Sequence, residues 1–233
     1  MYSERFTLKN CDFSFQDKIK PQAIAEICEE ISGRDAKNSN NGYLSLKERN
    51  LAWVIVRTRV EILKDLKNGF DAIVKTAPIV PGKIDFDRNY YIYNLDNELC
   101  VKSTTKWIVI DYTTRRIQRS SVCVFPKEEL EINALCNFKK VTCNSSLENV
   151  VMGAVKLNDL DHNGHMNNAR YIEMIYNTFN KDEKRNLIAY ECEYVKELMY
   201  NETIKIKYNN TYSEYQILNS NDEVSFVMKL EWR

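Results

Sequence analysis

Asp161, Asn163 and His165 stand at alternate positions in the stretch Leu157-Asn-Asp-Leu-Asp-His-Asn-Gly-His-Met-Asn-Asn-Ala-Arg-Tyr171. A carboxylate, an amide and an imidazole this close together can orient a water, take up its proton and steady a developing negative oxygen. Behind them Met166, Ala169, Ile172, Tyr176 and Phe179 recur at helical spacing. The spacing predicts a helix that buries one face and opens its first turn, with free N–H groups and the positive dipole end, toward the polar set. Such a terminus suits an oxygen gaining charge. Asp161 and Asn163 are equally good N-cap residues, and capping alone would explain an isolated Asp-x-Asn.

Composition narrows the setting. The 233 residues suffice for one large domain or two small ones, and 44% hydrophobic with 28% charged residues is the balance of an ordinary globular protein. The formal net charge of zero argues against nucleic acid as a partner, so an acidic partner must meet a local basic patch. No apolar run approaches the roughly 20 residues of a membrane span, so membrane insertion is not expected. The N-terminal Met-Tyr-Ser-Glu-Arg-Phe carries charge where a signal peptide would be apolar. Cys11, Cys28, Cys100, Cys123, Cys136, Cys143 and Cys192 form an odd set without a C-x-x-C pair, which fits neither a disulfide framework nor a zinc site. A reducing cytoplasm is the expected location.

The elements that must position the polar set follow from periodicity. Residues 5 to 13 alternate as an edge strand does, and Pro21 followed by Ala23, Ile24, Ile27, Cys28 and Ile31 predicts a helix with one apolar face. Gly33 to Lys47, rich in Asn, Ser, Asp and Lys, reads as a loop. Strands are predicted at 51–63, 70–76, 89–94, 99–112 and around 116–125, with a turn at Lys67-Asn-Gly69. Residues 126–146 show little period and read as a connector. After it come a strand at 150–156, a helix over 165–179, a polar break at 180–185, and strands near 188–198, 203–209, 212–218 and 224–232. One helix followed by a run of antiparallel strands, twice, is an α+β pattern.

The repetition also shows in residues. Asp17-x7-Ala25 aligns with Asp161-x7-Ala169, Val60-Glu-x2-Lys64-Asp65-Leu66 with Cys192-Glu-x2-Lys196-Glu197-Leu198, and Trp107 with Trp232. In this alignment Asn163 and His165 stand opposite Ile19 and Pro21, so the first copy lacks them. A cap is needed in both copies, whereas a reactive site can be kept in only one.

With these residues the sequence resembles the acyl-acyl-carrier-protein thioesterases of the plant type and their bacterial relatives. The motif Asp161-x-Asn163-x-His165-Met-Asn167-Asn168-x-x-Tyr171-Ile172 is similar to the family's D-x-N-x-H-V-N-N-x-x-Y-I. Trp53-Val54 with Arg57, Thr105-Lys106-Trp107 and Thr114-Arg115-Arg116 resemble landmarks of its first domain. The resemblance implies two fused hotdog domains, each an antiparallel sheet wrapped around a central helix. Residues 1–130 would form the first, with the acyl-chain pocket and a degenerate site, 131–146 a linker, and 147–233 the catalytic domain. It implies catalytic roles for Asp161, Asn163, His165 and Glu197. The segment Glu193-Tyr-Val-Lys-Glu-Leu198 resembles the family's Y-R-R-E-C, with Leu198 in place of the thiol.

The implied reaction is hydrolysis of fatty acyl-acyl carrier protein to free fatty acid by general-base activation of water, without metal or organic cofactor. Glu197, on an apolar strand, would take the proton, strengthened as a base by burial, and Asn163 would orient the water. His165, in the first helical turn, would stay neutral and donate to the thioester oxygen beside a backbone N–H near Gly164, while Asp161 orients Asn163 or His165. His162 is expected exposed and Cys192 an inert buried thiol. Ile24, Ile27 and Trp53 are expected to bind the acyl chain. The partner would be acyl carrier protein carrying its fatty acyl thioester. Lys64, Lys67, Lys139 and Lys140 are basic candidates to meet it, equally readable as solvated charges. A homodimer stays open. The alternatives are an acyl-CoA thioesterase on the same fold and a non-catalytic acyl-binding hotdog protein.

Overall fold

A computed structural model describes residues 1–67, 69–139, 141–143, 146–180, 182 and 184–233. Asn68 of the expected turn, the basic candidate Lys140, Asn144 and Ser145 of the expected connector, and Lys181 and Glu183 of the expected break lie outside the described residues. The chain divides into two compact units, Met1–Ile19 with Glu26–Asn137, and Lys20–Ala25 with Phe138–Arg233.

The first unit holds β1 (Tyr2–Thr7), most of α1 (Pro21–Asn38), α2 (Tyr43–Glu48), β2 (Leu51–Ile62), β3 (Asp71–Pro78), β4 (Asp85–Tyr93) and β5 (Leu99–Asp111). Its strands pair antiparallel in the order β1-β3-β4-β5-β2, with Asn89 opposite Thr104 and Trp53 opposite Val109. The second unit holds β6 (Asn149–Ala154), α3 (Asn168–Tyr176), β7 (Leu187–Tyr194), β8 (Thr203–Tyr208), β9 (Glu214–Leu218) and β10 (Val224–Trp232). Its antiparallel order is β7-β10-β9-β8-β6. A principal helix with an antiparallel sheet therefore occurs twice, the α+β plan expected. No described helix is long and apolar enough to cross a membrane.

The edge strand expected over residues 5–13 is instead β1 at Tyr2–Thr7 with a 3-10 turn at Asn10–Asp12, and three further elements depart from expectation, each for a local reason. The loop expected over Gly33 to Lys47 is mostly helix, because α1 runs on to Asn38 and α2 follows. Asp35 looks like a loop residue but faces inward, where its carboxylate meets Arg88 at 2.5 Å with both side chains more than nine-tenths buried. Arg88 also donates to Thr76 Oγ1 at 3.2 Å. The strand expected around 116–125 is absent. Asp111 caps a turn, accepting from Thr114 N–H at 2.7 Å, and the chain then keeps only an isolated bridge between Ile117 and Ile110. Side chains hold it further on, with Asn41 donating to the Val124 carbonyl at 2.9 Å and Arg49 to the Val122 carbonyl at 2.8 Å. Finally, α3 starts at Asn168, three residues later than expected, and ends at Tyr176. Phe179 still packs edge-on against Tyr176 and Trp232, with ring centroids 5.2 Å apart in each case.

Part of the expected connector is pinned down. Tyr91 donates its hydroxyl to Glu131, Leu135 N–H reaches Asn89 Oδ1 and Cys136 N–H reaches Thr104 Oγ1, the last two at 3.0 Å. Glu131 and its neighbours thus satisfy polar side chains that β4 and β5 bury.

Candidate active site

The polar set sits in a tight bend, and one carboxylate organises it. Asp161 Oδ1 accepts the N–H of Asn163 at 2.8 Å and that of His165 at 3.1 Å. Its other oxygen, Oδ2, accepts from the Asn163 side-chain amide at 3.3 Å. The backbone closes the bend as Asp161 N–H donates to the His165 carbonyl at 2.7 Å and Gly164 N–H to the Asp161 carbonyl at 3.1 Å. Gly164 adopts φ +83°, a left-handed conformation that glycine enters without strain.

Neither Asp161 nor Asn163 caps the helix. Asn167 does, accepting Ala169 N–H at 2.9 Å through its side chain. Capping therefore does not account for the Asp-x-Asn-x-His pattern. It also follows that His165 precedes the helix rather than lying in its first turn, so the dipole reason for a neutral imidazole does not apply to it. The backbone donor expected near Gly164 is displaced too, since Gly164 N–H is already engaged. The N–H at the start of α3, that of Asn168, has no acceptor within its own helix.

The segment after β7 comes to meet the bend. His165 forms an isolated antiparallel bridge with Met199, and Met166 N–H donates to the Leu198 carbonyl at 2.9 Å. These bonds bring Glu197 Oε1 to 3.5 Å from His165 Nδ1. Glu197 lies beyond the end of β7, not on it, and its side chain is 40% exposed, so the expected burial is not found. His165 is less open, at 23%. His162 is exposed, and Cys192 is buried as expected of an inert thiol.

Tyr171 is a part of the motif whose role sequence reasoning missed. Its hydroxyl donates to the Lys196 carbonyl at 3.4 Å and accepts Leu198 N–H at 3.0 Å, gripping the chain on both sides of Glu197. Burial pushes this hydroxyl up, so it stays protonated and remains a donor. The ring packs edge-on against Tyr194 and tilted against Phe226, with centroids 5.7 and 5.2 Å away. The available signal was the helical offset that sets Tyr171 on the buried face with Ile172 and Ile175.

The first unit contains the same bend with different chemistry. Ser14 Oγ accepts the N–H of Gln16 at 3.2 Å and of Lys18 at 3.3 Å, Ser14 N–H donates to the Lys18 carbonyl at 2.8 Å, and Asp17 takes the left-handed conformation with φ 57°. Lys18 Nζ pairs with Asp65 Oδ2 at 2.6 Å. The register of the repeat is thus Ser14 with Asp161, Gln16 with Asn163, Lys18 with His165, and Asp65 with Glu197. The alignment of Asp17 with Asp161 was three residues out, because matching the two aspartates outweighed matching the turn. A serine suffices to close the bend, so what Asp161 adds is a second oxygen for the Asn163 amide.

The remaining expected site residues are buried or partly buried. Ile24 and Ile27 lie on the covered face of α1. Trp53 packs in a cluster with Leu46, Phe86, Val109, Cys123 and Phe125, and donates its indole N–H to the Asn41 carbonyl at 2.9 Å. Ile24 and Ile27 are not members of that cluster. Among the basic candidates, Lys64 pairs with Glu98 at 2.5 Å and Lys139 with Glu231 at 3.2 Å, while Lys67 is exposed.

Known proteins match the chain over most of its length. Residues 1–122 match the acyl-ACP thioesterase N-terminal domain and residues 145–233 the acyl-ACP thioesterase C-terminal domain. The chain is 24% identical over 208 residues to an oleoyl-acyl carrier protein thioesterase of Coriandrum sativum, covering 78% of this chain and 54% of that one. It is 24% identical over 195 residues to oleoyl-acyl carrier protein thioesterase 1 of Arabidopsis thaliana, covering 73% and 52%. The chain thus spans about half the length of the curated relatives it matches. Among solved structures, an acyl-ACP thioesterase from Bacteroides thetaiotaomicron superposes with a TM-score of 0.90 at 19% identity over 100% of this chain and 97% of that one. The 12:0-ACP thioesterase from Umbellularia californica gives 0.85 at 18% identity over 100% and 96%. The fold is that of two fused hotdog domains.

Proposed function

The chain belongs to the acyl-ACP thioesterase family, and from that premise we propose that it hydrolyses fatty acyl thioesters of acyl carrier protein, releasing free fatty acid and the carrier thiol. The observation that carries the reading is the approach of Glu197 Oε1 to within 3.5 Å of His165 Nδ1. It brings an imidazole, a carboxylate and an amide-bearing bend to one place.

A carboxylate facing Nδ1 favours the tautomer with its proton there, which leaves Nε2 bare as an acceptor. Glu197 faces His165 Nδ1, so His165 is the immediate base, with Glu197 orienting it and balancing the imidazolium that forms. Water adds its oxygen to the thioester carbon and passes a proton to Nε2. Asn163, held by Asp161 Oδ2, keeps a second amide hydrogen and its carbonyl to orient that water. The oxygen that becomes negative is steadied by the N-terminus of α3, where Asn168 supplies an N–H. When the carbon–sulfur bond breaks, the imidazolium returns its proton to the leaving thiolate.

Two residues act by positioning. Asp161→Ser should keep the bend, as Ser14 does, but free the Asn163 amide. We expect kcat/KM to fall by roughly 10- to 100-fold with the melting temperature nearly unchanged. Full activity in this variant would remove Asp161 from the mechanism. Tyr171→Phe keeps the ring packing and loses the grip on Glu197. Its expected signature is a kcat lower by about tenfold or more at unchanged KM, and an unchanged kcat would make Tyr171 a packing residue only.

Ile24, Ile27 and Trp53 remain the proposed contacts of the acyl chain. An odd set of seven cysteines without a C-x-x-C pair supports a reducing compartment, with the cytoplasm proposed and imaging of a tagged chain as its check. The function itself is tested with a panel of acyl-ACPs and acyl-CoAs of graded chain length. Release of fatty acid from acyl-ACP in preference to acyl-CoA supports the reading. Hydrolysis of acyl-CoA alone, or of neither, would overturn it.

A further inference from the structure

Strands β1 and β6, each at one end of its own unit's order, are built differently. β1 carries Glu4 and Arg5 on its edge, tied by Arg34 to Glu4 and by Arg5 to Asp71. Such charges keep an edge strand from pairing with another chain. In β6, Asn-Val-Val-Met-Gly-Ala, there is no charge at all, and Val150 is 51% and Met152 57% exposed. An unprotected apolar edge of this kind is a template for a further strand.

We propose that β6 pairs antiparallel with β6 of a second copy of this chain, about a two-fold axis at Met152. The direction of the backbone groups sets the register. Val155 turns both its N–H and its carbonyl toward the β8 side, bonding Glu202 and Asn201 at 3.0 Å each. Because these groups alternate along a strand, those of Val150, Met152 and Ala154 face the open edge. Hydrogen-bonded pairs between copies must therefore join residues of this set. With Met152 opposite its own copy, Val150 faces Ala154, and one step further Glu148 of each copy faces Lys156 of the other. Glu148 and Lys156 are both exposed and flank the strand on the same face as Met152. The edge is thus complementary to itself in charge as well as in shape, which is what a two-fold interface requires.

The proposal is independent of the reaction and is tested by sedimentation of the whole chain from about 1 to about 200 µM. The wild type should approach twice the chain mass as concentration rises. Met152→Lys, which sets like charges face to face on the axis, should stay monomeric with an unchanged melting temperature. Glu148→Lys lies outside the strand and gives up one exposed hydrogen bond, accepted from the Asn210 side chain at 2.7 Å, so a thermal melt accompanies it; it should weaken the dimer at least tenfold, and Glu148→Lys with Lys156→Glu should restore it. A wild type that is monomeric throughout, a Met152→Lys dimer of wild-type affinity, or a double swap that fails to recover would each overturn the proposal.

Discussion

Replacing His165 with Ala is expected to lower kcat/KM for acyl-ACP, the proposed substrate, by roughly 10³- to 10⁴-fold, the upper part of the range for a positioned acid–base group. The expected loss is large because, in the proposed reaction, the imidazole would hold water's proton from attack until the thiolate leaves, so both halves of that reaction would depend on it. The fold should not suffer. The bend is closed by the backbone of His165, whose N–H reaches Asp161 Oδ1 and whose carbonyl accepts Asp161 N–H at 2.7 Å. Its side chain retains 23% exposure, and the equivalent bend in the first unit carries Lys18 instead. Stability should therefore change by less than about 1 kcal/mol. The check is steady-state kinetics beside a thermal melt. A variant with a tenth or more of wild-type activity would exclude the imidazole as the proton carrier.

The largest expected effect on stability lies elsewhere, at Asp35. Its carboxylate and the Arg88 guanidinium are more than nine-tenths buried, and Arg88 sits 5.9 Å from the centre of the Phe125 ring. Asp35→Ala leaves a buried cation without its counterion, for which about 3–5 kcal/mol of stability is lost. That is a large share of the roughly 5–15 kcal/mol that separates a native domain from its unfolded chain. Urea unfolding measures it as a fall in midpoint. The double variant Asp35→Leu, Arg88→Met should recover most of the loss, since an apolar pair removes the desolvation problem instead of halving it. A single variant as stable as the wild type would show that Arg88 finds another partner.

Asp35 also shows where the sequence is legible and where it is not. Strand β10 is readable to the residue, Val224 to Trp232, because alternation along an antiparallel strand leaves a direct mark in residue type. The second half of α1 is not, because the residue that anchors it to the core is an aspartate, and its partner lies 53 positions away in β4. The motif itself is visible, since Asp161, Asn163 and His165 are spaced by the turn that unites them. What the spacing conceals is that the turn precedes the helix and that Asn167 is its cap. Glu197 is reached only through the family resemblance, and the repeat adds that Lys64-Asp65-Leu66 and Lys196-Glu197-Leu198 end their strands alike: Val195 and Lys196 donate to the Ser225 carbonyl as Leu63 and Lys64 do to that of Cys100. Its exposure is hidden, as exposure depends on what the rest of the fold leaves uncovered. The three-residue error in the first repeat block has the same origin. Ser14 does the work of Asp161 with a different functional group, and identity of residue misled where identity of hydrogen bonds would not have.

The central claim is that the Asp161 bend and the Glu197 segment form one proton-handling unit. Single-turnover hydrolysis of acyl-ACP by His165→Ala, Glu197→Gln and the double variant tests it most directly. If Glu197 acts through His165, Glu197→Gln alone loses about 10²-fold, and the double variant is no slower than His165→Ala by more than a few-fold, since a partner already absent cannot be lost again. Full activity in Glu197→Gln, or losses that multiply in the double variant, would contradict the account.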